Sequence, residues 1–110
     1  MKKFSWLPML LLAISIFNYP NPFDPQAGEV TTFECTPTST SEAYLYIYDL
    51  GARLIAQKDW NLQGGAKNSL SWNGYADSNE RVSSGVYLYR LIDKASKASL
   101  AKGKAWIINK

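Results

Sequence analysis

Nine carboxylates, one cysteine and no histidine are the groups with which this chain could do chemistry. Without histidine, the commonest general base and the commonest metal ligand are both missing. Cys35 therefore has no partner for a cysteine–histidine nucleophile, and a lone cysteine cannot form an internal disulfide. Gly64-Gly65 runs into "AKNS" and a strand pattern, not into a helix, so it is not a phosphate loop. Paired carboxylates can hydrolyse glycosides. Here Asp24, Glu29, Glu34, Glu42, Asp49, Asp59, Asp77, Glu80 and Asp93 fall mostly in turns or at outward positions, and no pair is singled out.

The loop "NGYADSNE" carries Asn73, Asp77, Asn79 and Glu80, oxygen donors of the kind calcium takes. It lacks the D-x-[DN]-x-[DN]-G spacing, and Asn, Asp and Gly are ordinary turn formers. No catalytic, cofactor or metal site is expected. The chain is rich instead in aromatic rings, with four tryptophans and seven tyrosines. Exposed on a sheet face, such rings could stack on sugars, which makes a carbohydrate-binding module the alternative function. Rings also pair across strands and stabilise sheets. Trp72 shares a face with Leu70 and is expected in the core.

The elements that must position these residues are strands. "EAYLYIYDL" alternates Tyr44, Tyr46 and Tyr48 with Leu45 and Ile47, and "ARLIAQKDW" follows a turn near Gly51 to complete a hairpin. "TTFECT" places Phe33 and Cys35 on one face, which makes Cys35 a buried, inert thiol. "NSLSWNG" ends at the turn dipeptide Asn73-Gly74. "SSGVYLYRLID" opens through Gly85 and turns Tyr87, Tyr89 and Leu91 inward, leaving Arg90 in solvent. The Tyr87 hydroxyl is expected to bond nearby backbone. A last strand over residues 102–110 sets Ala105 and Ile107 opposite Trp106 and Ile108. Turn clusters separate these runs. The pattern predicts an all-β, immunoglobulin-like (fibronectin-III-like) antiparallel sandwich of about seven strands over residues 26–110.

Ahead of it stands "NYPNPFDP". Proline has no backbone donor and pushes the residue before it into extended geometry. Residues 16–25 are therefore expected to form an extended lead-in that lies along a sheet edge and blocks pairing there. Further upstream, Lys2 and Lys3 precede the apolar run Leu7 to Phe17, with small residues at Ala13 and Ser15. This reads as a secretory signal over residues 1–15, implying export to periplasm, surface or medium. The run is shorter than the roughly 20 residues a spanning helix needs, so no stable transmembrane span is expected. The net charge of +3 includes the two signal lysines, so the remainder is near neutral and no nucleic-acid partner is expected. Lys94, Lys97, Lys102, Lys104 and Lys110 crowd the C-terminal region with no acid among them. Such a run is a solvated face or a charge that a partner reads.

Four motifs now stand in order: "YPNPFDP", "YIYDLGARLI", "LSWNGYADSNERVSSGVYLYRL" and "KGKAWIINK". Together they resemble the immunoglobulin-like domain of the flagellar hook-capping protein (FlgD-like) and the type A sorting domain of the type IX (Por) secretion pathway. The resemblance covers residues 18–110. It implies a non-catalytic exported module acting in secretion sorting, surface anchoring or envelope structure. Its partners would be proteins of an export or anchoring machinery, with room for a cargo domain in frame. The motif positions carried over are Pro20, Asn21, Pro22 and Phe23 of the head, Trp72 and Gly74 of W-x-G, and Gly85 and Tyr87 of S-G-V-Y. Lys104 and Lys110 belong to the lysine-bounded last strand, which is expected to detach more readily than an internal one and to be read by the machinery. Two departures matter. Ala52 stands where the family has glycine, with Gly51 before it, so the left-handed turn position is expected one residue earlier. Asn79 replaces a loop glycine, and asparagine tolerates positive φ well.

Overall fold

A strand with one buried face needs alternating apolar and polar side chains, and strands form where that alternation occurs. They are β1 (Ile16–Tyr19), β2 (Thr31–Cys35), β3 (Ser41–Tyr48), β4 (Leu54–Leu62), β5 (Asn68–Trp72), β6 (Gly85–Asp93) and β7 (Ser99–Ile107). The computed structural model describes residues 14–109, so most of the expected signal and Lys110 lie outside the described residues. One sheet has the order β1-β2-β5 and the other β4-β3-β6-β7, with every strand pairing antiparallel. The two inner faces share one core, to which β2 gives Phe33 and Cys35, β3 Leu45 and Ile47, and β6 Tyr89 and Leu91. Ala105 and Ile107 of β7 are buried, whereas Trp106 and Ile108 are exposed. Among the described residues no helix is long and apolar enough to cross a membrane.

Three local features depart from the sequence reading. Residues 16–19 of the expected lead-in are strand β1, paired from Ile16↔Cys35 to Tyr19↔Thr32. Just before it, the Ile14 N–H donates to Leu100 O at 3.2 Å and the Ile14 side chain packs on the core. The last strand runs Ser99–Ile107, not over residues 102–110. Its extent follows β6, which it pairs from Gly85↔Ile107 to Ile92↔Ser99. Asn109 instead leaves the ladder, donating its N–H to Ser84 Oγ and its side-chain amide to Val82 O.

The third departure is the β3–β4 turn, where the left-handed residue is Ala52, at φ 67°, and not Gly51. Asp49 explains this. Its Oδ1 accepts the N–H groups of Gly51 and Arg53, both at 2.9 Å, and its carbonyl accepts from Ala52 at 3.0 Å. These bonds fix the turn's geometry and hold alanine where glycine would be relaxed. The Arg53 N–H is also the main reason the Asp49 carboxyl lies below its usual range. Asn79 takes φ 72°, as expected of a glycine substitute.

Cys35 is 2% exposed, and burial, with a smaller contribution from the Glu34 charge, pushes its thiol up to about 11. The unfolded chain loses this proton first, near the ordinary value of 9.0. The stability it contributes is therefore complete below that value and is lost as pH rises through about 11. Chemical denaturation at a series of pH values should show a fall between these limits that is shallower in Cys35→Ala. An unchanged slope in the variant would contradict the buried-thiol assignment.

Candidate functional site

After β1 the chain leaves the three-stranded sheet and crosses to the outer edge of β7. Asn21 makes the crossing with its side chain: Nδ2 donates to Lys104 O at 3.1 Å, and Oδ1 accepts from Trp106 N at 2.7 Å. Phe23 then pairs with Ile107 as a parallel bridge, its N–H donating to Trp106 O and its carbonyl accepting from Ile108 N, both at 3.0 Å. Pro20 and Pro22 are exposed on either side of Asn21 and have no N–H to offer the edge. The head thus occupies edge groups of Lys104, Trp106 and Ile108 that would otherwise be open to another strand. It also pins β7 in place, so the final strand is clamped and not the readily detached element expected from its position.

Beyond the clamp, Phe23 enters the core with 1% exposure. Its ring meets Trp72 edge-on, with centroids 5.8 Å apart and planes at 62°. Trp72 in turn meets Tyr87 at 6.2 Å and 71°. The polar ends are satisfied: Trp72 Nε1 donates to Tyr75 O at 2.9 Å, and the Tyr87 hydroxyl donates to Ser83 O at 2.8 Å. Gly74 lies against the same joint at φ 79°, where an added Cβ would run into the Pro25 ring and approach Phe23. Gly85 opens β6 opposite Ile107. Residues from the head, W-x-G and S-G-V-Y motifs therefore converge on one packed joint. Of the carried-over positions, only Pro20, Asn21, Pro22, Gly85 and Lys104 are exposed, and Lys110 lies outside the described residues.

The polar half of the joint has no signature in the local sequence. Asn18 is 7% exposed, and its Nδ2 donates to Thr31 Oγ1 at 3.0 Å. Its Oδ1 accepts from the Tyr89 hydroxyl and from Asn21 Nδ2, each at 3.3 Å. Thr31 Oγ1 passes the chain on to Pro20 O at 2.9 Å. This network ties β1, β2, β6 and the head together. Asn18→Ala should leave the buried Tyr89 hydroxyl without its acceptor and Thr31 Oγ1 with only its bond to Pro20 O, and cost about 1–3 kcal/mol in denaturant melts. A loss below about 0.5 kcal/mol, less than one ordinary hydrogen bond, would show the network to be idle.

The outward faces carry the remaining candidates. Tyr44, Tyr46 and Tyr48 form a half-buried ladder on β3, with centroids 5.6 and 6.1 Å apart. Neighbouring planes are inclined by 34° and 30°, so the rings are not coplanar. Trp106, 49% exposed, stands beside Lys104 on β7. Among the described residues, no group of three or more His, Cys, Asp or Glu side chains could hold a metal ion.

Antiparallel sheets of three and four strands closed over one core make this an immunoglobulin-like β-sandwich. The same fold occurs within PorU, PorZ and FlgD. PorU from Porphyromonas gingivalis, solved as a latent dimer, superposes with a TM-score of 0.72 and 20% identity, over 88% of this chain and 9% of PorU. PorZ from the same organism, an essential surface component of its type IX secretion system, gives 0.59 and 25%, over 86% of this chain and 12% of PorZ. FlgD from Xanthomonas campestris, a hook-capping protein essential for flagellar assembly, gives 0.58 and 16%, over 91% of this chain and 72% of FlgD. The chain thus spans only a small part of the length of PorU and PorZ. No protein-family model and no curated protein matches the sequence.

Proposed function

We propose that this is a non-catalytic, exported module that serves type IX secretion sorting or surface anchoring through protein partners of that machinery. The observation that carries the reading is the clamp on β7. It holds the last strand in a fixed setting, so that Lys104 and Trp106 are presented outward from a strand whose Ala105 and Ile107 are core. The likeness to a domain-sized part of PorZ supports the assignment to this pathway. Export by residues 1–15 and a cargo domain in the same frame belong to the same reading.

Removing Ala105 to Lys110 cannot test recognition, because it empties core positions. Charge can be removed without that damage. An exported reporter fused ahead of residues 14–110, in a cell with a type IX translocon, should lose several-fold surface display when Lys104→Gln and Lys110→Gln are combined. The melting of the variant should match that of the native domain. Unchanged display would make the domain a structural spacer.

A further inference from the structure

The outer face of the four-stranded sheet is charged unevenly. Its acids lie towards the β4 side, where Glu42 is exposed and Asp59 is held by Lys94 at 3.0 Å. On the β7 side, Arg90 stands directly opposite Lys102, and Lys104 stands opposite Leu88. All three cations are exposed. Like charges directly opposite weaken a sheet. Among the described residues no carboxylate lies within ion-pair distance of any of the three, whereas Arg53, Lys67 and Lys94 each have one.

The cations border a groove of about 430 Å³ lined by Leu88, Tyr89, Arg90, Lys102, Gly103 and Lys104. The Tyr89 side chain is buried against Gly103 on the core side, so backbone forms the groove's floor. Across β6, Arg90 faces Tyr46, the middle ring of the tyrosine ladder. Tyr, Trp and Arg beside half-buried aliphatic side chains are the composition of protein-binding hot spots. The uncompensated charge selects a negative partner. A sugar polyanion would answer the cations but leave Leu88 and Ile92 uncovered.

We propose that this face docks an acidic segment of a partner protein, with carboxylates on Arg90, Lys102 and Lys104 and apolar side chains over Leu88 and Tyr46. The inference rests on the sorting reading, since it names the kind of partner that reads the last strand. The test is a titration of the isotope-labelled full chain with a short peptide alternating Glu with Leu and Tyr, followed by amide shifts. Polyglutamate and polygalacturonate serve as comparison probes. The expected result is shifts along Leu88–Ile92 and Ala101–Lys104, binding that weakens with salt, and preference for the mixed peptide over both comparison probes by about ten-fold. Arg90→Gln with Lys102→Gln should reduce that affinity by about ten-fold, yet melt no lower than the native chain, because a like-charge pair has been removed. Absence of binding, shifts elsewhere, or equally tight polygalacturonate would overturn the proposal. If peptide binding fails while the Lys104 and Lys110 changes still reduce display, the docking inference falls and the sorting reading stands.

Discussion

Trp72→Ala should destabilise the domain by about 3–5 kcal/mol, the usual loss for a large aromatic removed from a packed core. Trp72 is 1% exposed and lies between Phe23 and Tyr87, so its removal opens a void that two rings border. The Tyr75 carbonyl loses its donor as well. Small domains have about 5–15 kcal/mol in total, so the variant should sit near its unfolding threshold. A cycle of Trp72→Ala with Phe23→Ala should show a coupling of about 0.5–1.5 kcal/mol, the scale of an edge-on aromatic pair. A loss below about 1 kcal/mol for Trp72→Ala, far under the range for such residues, would mean that the joint is not the packed centre described.

Gly74→Ala should cost about 3 kcal/mol, from two sources of similar size. A residue with a Cβ at φ 79° meets the left-handed penalty of about 1–2 kcal/mol. The same methyl would run into the Pro25 ring, which is buried and held by the turn Pro25–Ala27. Overpacking of that kind costs about 1–3 kcal/mol. Because the contact is to the head, the change should also loosen Phe23 from β7. Amide exchange at Ile108, whose N–H bonds Phe23 O, should quicken in Gly74→Ala. A stable variant with unaltered exchange would show that head and loop are independent.

Much of the sandwich was legible because its strands are amphipathic. In β2, β3, β6 and β7 the alternation of side chains fixed which residues face inward, and Phe33, Leu45, Leu91 and Ile107 are core. What could not be read is pairing between distant segments. Asn21 lies in a run expected to be extended along a sheet edge, but nothing local says which edge, or that its amide will bond Lys104 and Trp106. Asn18 is similar, since polarity predicts solvent and only the fold supplies Thr31 and Tyr89 as buried partners. Ala52 misled for a different reason. A glycine beside it drew the left-handed position, while the carboxylate of Asp49 set the turn. The C-terminal lysines were visible as a run, but the opposition of Arg90 to Lys102 exists only in the register of β6 and β7.

The most direct test of a sorting role is surface labelling of a reporter fused ahead of residues 14–110. It should be expressed in a cell with a type IX translocon and in the same cell with the translocon removed. Labelled reporter is expected on intact cells only where the translocon is present, with the protein retained inside the envelope otherwise. Equal surface labelling in both cells would contradict a sorting role.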